Sequence, residues 1–265
     1  MPPKQQMLIF DIDGVLTDPV SKQGDPAIFQ CLTKKLESGA LIAFNTGRSS
    51  EWVQKTILPH LQTRHLSNLF CVCEMGYVTL GFDEKQRVIE KVFEENSVPK
   101  ELAGTIRDII ASSYHDSMFV DETKKVILTI EMKDGFSQKV YEELQSRLSG
   151  EIRIILKNYH PGIHIRPSST TIAIDIKPIE SGKALGIQRV VEWLKFSAID
   201  PKDLHFTTLG DSTSDTEMNG WLNQNGYTNN FVYVGQDKLG QFEFHIDQTR
   251  DKFTKGTLEY LKQVS

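Results

Sequence analysis

The sequence is poor in cysteine. It contains three cysteines among 265 residues, and so small and odd a number excludes a disulfide framework. Two of them, in FCVCEMG, lie close together, but they lack the further ligands that a zinc site needs. We therefore interpret Cys31, Cys71 and Cys73 as small apolar residues of buried segments.

Long apolar runs and excess positive charge are also missing. No run approaches the roughly 20 residues of a membrane-spanning helix, and the first residues, MPPKQQ, contain no apolar signal region. A formal net charge of −5 and a pI near 5.8 argue against the basic surface of a nucleic-acid-binding protein. We therefore expect a cytoplasmic protein that binds neither membrane nor nucleic acid.

Short apolar runs alternate with amphipathic stretches in the first and last parts of the chain. MLIF, ALIAFNTG and NLFCVCEMG predict strands, and the stretches between them predict helices. The alternation returns in GKALGIQRVVEWLKFS, HFTTLGDS, DTEMNGWLNQ and NFVYVG. Because such alternation is typical of parallel sheets with right-handed crossovers, we predict an α/β domain with a doubly wound parallel sheet, formed by residues 1–82 and 178–265.

Residues 83–177 have a different pattern. VPKELAGTIRDIIASSYHD and SQKVYEELQSRLSG predict helices, whereas KKVILTIEMKD alternates like a half-exposed antiparallel strand. The next stretch, EIRIILKNYHPGIHIRPSSTTIAIDIKP, predicts three strands with a turn at Pro161 and Gly162. We therefore expect a separate α+β domain, inserted into the first.

Polar clusters follow three predicted strands of the first domain, namely DIDG, NTGR and GDSTSD. Ligands of open parallel sheets bind at the carboxyl ends of the strands, so these clusters should meet in space. Taken singly, they are explained by an Asx turn, a loop of common turn formers and a serine-rich helix cap. Their order along the chain, with a lysine ahead of the last, indicates a shared function.

This ordered set resembles the haloacid dehalogenase superfamily of phosphatases that use an aspartate nucleophile. The four motifs match DIDGVLTD, the threonine of FNTGR, the lysine of ESGKALG, and GDSTSD. EMGY and IDIKPIESGKALG are similar to the Cof-like and sucrose-phosphatase-like branches, whose α+β cap lies between the second and third motifs. The resemblance covers essentially the whole chain and implies a Rossmann-like core with an inserted cap.

The resemblance implies roles for four aspartates. Asp11 is the expected nucleophile, and Asp13 is the expected acid for the leaving alcohol and then the base for water. Because the carboxylates and the phosphate repel one another, a cation is needed, and Mg²⁺ suits an all-oxygen site. We expect it to bind the Asp11 and Asp211 carboxylates and the Asp13 backbone carbonyl, with Asp215 bound directly or through a water.

The resemblance also implies phosphate contacts. Thr46 should donate its hydroxyl, Lys183 should pair with the phosphate and restrain Asp11, and Gly14 should allow a tight turn beneath the phosphate. The remaining expected contacts in the core are Gly47, Arg48 and Ser214. The two cationic residues also have ordinary interpretations: Lys183 could be a solvated helix residue, and Arg48 could be a surface arginine at a helix start.

Within the inserted domain, His164 and Arg166 are two residues apart and should face one side of a strand. A substrate-reading role for that face is one hypothesis, and ordinary solvated sheet residues are the alternative. Three positions depart from the family's pattern: Val15 stands where threonine is common, Ser214 replaces the asparagine of the last motif, and a glycine precedes Lys183 instead of following it.

These features, with the resemblance, predict magnesium-dependent hydrolysis of a small phosphate monoester through an aspartyl-phosphate, and they favour a sugar phosphate as the substrate. A phosphomutase, which returns the phosphoryl group to the sugar, uses the same residues and is an open alternative. A non-catalytic sugar-phosphate sensor is a second alternative, although a pure binder has no need for an acid/base carboxylate. The predicted partner is a small phosphorylated substrate, and the sequence does not indicate the oligomeric state.

Overall fold

The computed structural model describes residues 5–159 and 164–264. The chain divides into a first unit, up to Lys91 and from Gly182 onward, and a second unit, Val92–Ser181. These junctions differ from the expected ones, which followed residues 82 and 177. The reason at the first junction is that strand Val88–Val92 belongs to the sheet of the first unit and carries the chain further along it.

Strands and helices are numbered in chain order. The strands are β1 Gln5–Phe10, β2 Leu41–Asn45, β3 Leu69–Cys73, β4 Val78–Phe82, β5 Val88–Val92, β6 Met118–Val120, β7 Leu128–Met132, β8 Ile165–Ser169, β9 Ala173–Pro178, β10 Leu204–Gly210, β11 Asn229–Tyr233 and β12 His245–Gln248. The helices are α1 Pro26–Glu37, α2 Ser50–Thr56, α3 Lys100–Ile109, α4 Gln138–Asn158, α5 Lys183–Phe196, α6 Thr216–Gln224 and α7 Phe253–Gln263.

The first unit contains an eight-stranded sheet in the order β12-β11-β10-β1-β2-β3-β4-β5. From β12 to β3 all neighbours run parallel, whereas β4 is antiparallel to β3. The chain order reverses between β1 and its neighbours β2 and β10, which creates the crevice where doubly wound sheets bind ligands. The α/β class and the parallel order of β1, β2 and β3 agree with the sequence prediction.

Apolar side chains explain why the central strands are buried. Leu8 and Phe10 are as deeply buried as Met7 and Ile9, so β1 is covered on both faces, as the βαβ connection requires. Helices α5 and α6 pack on one face through a cluster that includes Ile187, Val190, Leu194, Met218 and Leu222. These layers place the carboxyl ends of β1, β2 and β10 along one edge of the sheet.

The second unit is α+β, as predicted, with a sheet in the order β6-β7-β9-β8 in which neighbouring strands pair antiparallel. Its core joins the sheet to α3 and α4 through side chains such as Leu102, Ile106, Ile130 and Ile174. Within the described ranges, no helix has both the length and the apolar character needed to cross a lipid bilayer.

The prediction of a strand at EIRIIL was wrong, because this segment continues α4. Leu148 and Ile152 are buried four residues apart, and Ile155 packs against the same cluster. The apolar residues therefore follow a helical period, although the isoleucines among them are β-branched. The predicted turn at Pro161 and Gly162 lies outside the described residues. The sequence analysis also missed β4, β5, β6, β12 and α7.

Candidate active site

Three strand ends bring the polar clusters together. Asp11 directly follows β1, Thr46 directly follows β2, and Asp211 directly follows β10. Strand β1 pairs with both β2 and β10, with Phe10 opposite Phe44 and Leu209. Since these three strands run parallel, residues far apart in sequence lie side by side at one edge, as the motif order predicts.

Asp11, Asp211 and Asp215 form a cluster whose carboxylate oxygens lie within 4.8 Å of one another. Asp215 is fully buried. Its Oδ2 accepts hydrogen bonds from Asp211 N at 3.2 Å, Ser212 N at 3.0 Å and Ser212 Oγ at 2.7 Å, whereas its Oδ1 lies 3.0 Å from Lys183 Nζ. An all-oxygen group of this kind, with three carboxylates close together, fits a hard divalent cation such as Mg²⁺.

Lys183, the first residue of α5, supplies the positive charge beside this cluster. Its Nζ lies 2.6 Å from Asp11 Oδ1 and 3.0 Å from Asp215 Oδ1, and it donates to the backbone carbonyl of Asn45 at 2.7 Å. The three N–H groups of the ammonium thus face three acceptors. Lys183 is therefore a half-buried residue of the candidate site, held by three acceptors, and its alternative interpretation as a solvated helix residue was wrong.

Glycine is required beside Asp211. Gly14 has φ +77°, and a Cβ on it would lie 2.1 Å from Asp211 Oδ2. Any larger residue would both strain the backbone and displace this carboxylate. Gly14 thus allows the loop after β1 to approach the loop after β10, which is a different contact from the turn beneath a phosphate that the sequence suggested.

Asp13 is held by Arg48, a pairing that the sequence did not reveal. Arg48 Nε donates to Asp13 Oδ2 at 2.9 Å and Arg48 Nη2 donates to Asp13 Oδ1 at 2.8 Å. Lys22 Nζ lies 3.9 Å from the same Oδ1. The guanidinium also lies over the ring of Trp52, 4.8 Å from its centroid. Arg48 therefore stands within the site, paired with a carboxylate, and its interpretation as a free surface arginine was wrong.

The loop Thr46–Arg48 is held by a second loop after β3. Thr46 is buried, its Oγ1 accepts from Arg48 N at 3.1 Å, and its carbonyl accepts from Met75 N at 3.1 Å. Glu74 and Met75 both have positive φ values, 46° and 54°, which side-chain-bearing residues rarely adopt. Such strain persists where surrounding contacts impose it. It indicates that the position of this loop matters to the site.

Charge crowding perturbs the acidic groups. Burial raises the pKa of Asp11 well above its usual range; Lys183 opposes this effect, whereas Asp215 and Asp13 add to it. Burial, followed by the charge of Asp215, raises the pKa of Asp211 to about 6. The raised values reflect several carboxylates that share too little positive charge, which is the electrostatic condition that a bound divalent cation relieves.

At two other groups, oppositely charged partners outweigh the effect of burial on the pKa. Burial alone would raise the pKa of Asp13, but the hydrogen bonds and charge of Arg48, together with Lys22, hold it below its usual value. Burial alone would lower the pKa of Lys183, but Asp11 and Asp215 raise it above its usual range. Asp13 and Lys183 are therefore both charged in this arrangement.

The remaining residues that the sequence analysis expected at the site differ in location and in exposure. Gly47 lies in the Thr46 loop, where a Cβ would be 3.2 Å from Met75 Cε. Ser214 is exposed, with its Oγ 2.8 Å from Ser212 Oγ. His164 and Arg166 are exposed residues of the second unit; a substrate-reading role for them stays a prediction.

Asn45 is a site residue that the sequence analysis missed. It is fully buried and its Nδ2 donates to the backbone carbonyl of Lys183 at 2.9 Å. An amide that ends an otherwise apolar strand was the available signal, because a buried polar group needs a specific partner.

Comparison with known proteins gives a fold assignment. No protein-family model and no curated protein sequence matches the chain. A haloacid dehalogenase-like hydrolase from Bacteroides thetaiotaomicron is similar in structure, with a TM-score of 0.69 and 13% identity, over 99% of this chain and 100% of that one.

Two further solved structures are similar. Trehalose-6-phosphate phosphatase from Aspergillus fumigatus has a TM-score of 0.60 and 16% identity, over 98% of this chain and 92% of that one. IMP-nucleotidase from Plasmodium falciparum has a TM-score of 0.52 and 17% identity, over 80% of this chain and 60% of that one. The order of the strands, the residues at their ends and these similarities lead to one conclusion: the chain has the fold of the haloacid dehalogenase-like hydrolases.

Proposed function

We propose that the protein is a magnesium-dependent phosphatase that hydrolyses a small phosphate monoester, with a sugar phosphate as its substrate class. The observation that carries the proposal is the convergence of Asp11, Asp211 and Asp215 within 4.8 Å, with Lys183 Nζ 2.6 Å from Asp11. The desolvation of so many charges at the strand ends is costly, and a metal-dependent reaction on an anionic substrate accounts for that cost.

The first chemical step forms an aspartyl-phosphate. An Asp11 oxygen attacks the phosphorus, the bond from phosphorus to the ester oxygen breaks, and Asp13 gives its proton to the departing alkoxide. Because Asp13 is charged and bound by Arg48 at two oxygens, it must take up a proton and release one of those contacts beforehand. The substrate's own anionic group is a suitable competitor for the guanidinium.

The second step releases phosphate. Asp13 removes a proton from a water molecule, the water oxygen bonds to phosphorus, and the bond from phosphorus to Asp11 breaks. Thr46 donates to a phosphoryl oxygen, and the charge of Lys183 offsets the negative charge that spreads over these oxygens. Asp11, Asp211, Asp215 and the Asp13 carbonyl would hold Mg²⁺, which would supply positive charge to offset the carboxylates and the phosphate.

The sugar-phosphate class draws support from the similarity to a trehalose-6-phosphate phosphatase, and an IMP-nucleotidase in the same comparison makes nucleotides the class to test against it. The test is phosphate release from a panel of hexose phosphates, trehalose 6-phosphate and nucleoside monophosphates, with Mg²⁺ or with EDTA. We expect release from a sugar phosphate that requires Mg²⁺ and is lost in Asp11→Asn.

Asp203→Asn is the matched control. Asp203 is exposed and precedes β10 at the end of the strand opposite to Asp211, so its neutralisation should leave activity unchanged. Conversion of a hexose 1-phosphate to the 6-phosphate isomer without release of phosphate would identify a phosphomutase instead. If no ester is hydrolysed in the presence of Mg²⁺, the proposal is refuted and the non-catalytic sugar-phosphate sensor is the alternative that stands.

A further inference from the structure

Asn45 holds Lys183 at both ends. Its Nδ2 donates to the Lys183 carbonyl at 2.9 Å, where α5 begins, and its own carbonyl accepts from Lys183 Nζ at 2.7 Å, at the tip of the side chain. We propose that Asn45 is a positioning residue that fixes the Lys183 ammonium between Asp11 and Asp215. The proposal rests on the phosphatase function above, in which that ammonium pairs with the transferred phosphoryl group.

The first turn of α5 is positioned without a side-chain cap of its own. Its N-cap is Gly182, and no side chain at the N-cap accepts from the first turn. The helix start is instead tied to neighbouring loops: Gly182 N donates to Met75 O at 3.1 Å, and Asn45 Nδ2 binds Lys183 O. A shift of this first turn would carry the ammonium with it.

The next turn of α5 is fitted closely to Asn45. A Cβ on Gly186 would lie 2.1 Å from Asn45 Oδ1 and 2.5 Å from Asn45 Nδ2. Glycine has a low helix propensity, yet here it lets the helix approach near enough for the amide to reach the Lys183 carbonyl. The pair Asn45 and Gly186 thus sets the distance between α5 and the end of β2.

Asn45 also carries a stability cost that packing alone would not justify. The side chain is fully buried, and its Oδ1 has no hydrogen-bond partner among the described residues. A buried unpaired acceptor lowers stability, so an apolar residue of similar shape would suit a purely structural position better. The amide is therefore explained by what its donor does for Lys183.

Three variants separate positioning from packing: Asn45→Ala, Gly186→Ala and the double variant. Asn45→Ala should lower kcat about 10- to 100-fold, because a displacement of about 1 Å in a catalytic group has effects of this size, with KM changed less than about threefold. Gly186→Ala should destabilise the protein by collision with the amide. In the double variant the methyl fills the vacated space, so thermal stability should exceed that of Gly186→Ala while kcat stays low.

Asn219→Ala is the matched control. Asn219 is equally buried and its side chain is hydrogen-bonded to Thr208 and Asn229, so its loss should lower the melting temperature and leave kcat unchanged. If Asn45→Ala does not fold, Asn45→Leu replaces it, since leucine has a similar branched shape and removes the unpaired oxygen.

The outcomes of the two proposals are distinguishable. Recovery of wild-type kcat in the double variant, or wild-type kcat in Asn45→Ala or Asn45→Leu, overturns the positioning role and leaves the phosphatase intact. A wild-type protein without phosphatase activity on the whole panel overturns the proposed function, and the positioning role with it.

Discussion

Removal of Lys183 and removal of Asp11 should both abolish turnover but should change stability in opposite directions. Two carboxylates with oxygens 4.8 Å apart repel by about 3 kcal/mol at an effective dielectric constant of about 20. Asp11 takes part in several such repulsions and in one close attraction, to Lys183 at 2.6 Å. Its raised pKa shows that burial and repulsion outweigh the attraction.

Lys183→Met leaves the buried carboxylates without their ammonium. Loss of one partner of a buried ion pair costs about 3–5 kcal/mol of unfolding free energy, which corresponds to a fall of roughly 10 °C in melting temperature for a protein of this size. Asp11→Asn removes one crowded charge and keeps an oxygen that accepts from Lys183. We therefore expect its unfolding free energy to be unchanged or higher by about 1–2 kcal/mol.

Chemical denaturation in EDTA at low salt measures both effects, and phosphate release with Mg²⁺ measures the common loss of activity. Lys262→Met, at an exposed lysine of α7, is the control and should change stability by less than about 0.5 kcal/mol. The electrostatic reasoning fails if Lys183→Met is as stable as the wild type, or if Asp11→Asn loses several kcal/mol.

Two further predictions concern stability. Asp211 has an unfolded pKa near 3.8 and a folded pKa of about 6, so between these values the native state binds one proton more than the unfolded state. The unfolding free energy of the metal-free protein should therefore fall by up to about 3 kcal/mol as the pH rises from 4 to 7. In Asp211→Asn this part of the pH dependence should vanish, and a pH profile identical to that of the wild type would contradict the assignment. Ala198 is exposed and has a φ of +57° after α5, so Ala198→Gly should raise the unfolding free energy by about 1 kcal/mol. Ala111→Gly, in a helical turn, should lower the unfolding free energy by about 0.5–1 kcal/mol. Equal effects of the two substitutions in denaturant melts would refute the backbone argument.

Local patterns were sufficient for much of the fold. Apolar runs that end in polar clusters gave β1, β2 and β10, and their parallel order followed from the helices between them. The first half of α4 was predicted, but its second half was not, because Ile152 and Ile155 lie in a β-branched run whose helical period was overlooked. The edge strand β5 was missed because it is exposed along most of its length and shows no alternation.

Part of the composition of the candidate site was predictable, and its contacts were not. The motif order predicted that Asp11, Asp211 and Lys183 lie close together, because the ends of parallel strands share one edge of the sheet. The pairing of Asp13 with Arg48, 35 residues apart, and the hold of Asn45 on Lys183, 138 residues apart, depend on side-chain directions that no local period encodes. Only close packing reveals them.

The most direct test of the account is to trap the phosphorylated enzyme. The protein is mixed with p-nitrophenyl phosphate and Mg²⁺, quenched with acid, and reduced with borohydride, which converts an aspartyl-phosphate to homoserine. Asp13→Asn should increase the trapped fraction, because its loss slows the attack of water while this leaving group needs no acid. Mass spectrometry should find homoserine at residue 11. The account would be contradicted if an enzyme that releases phosphate carried no modification at residue 11, or carried it at another carboxylate.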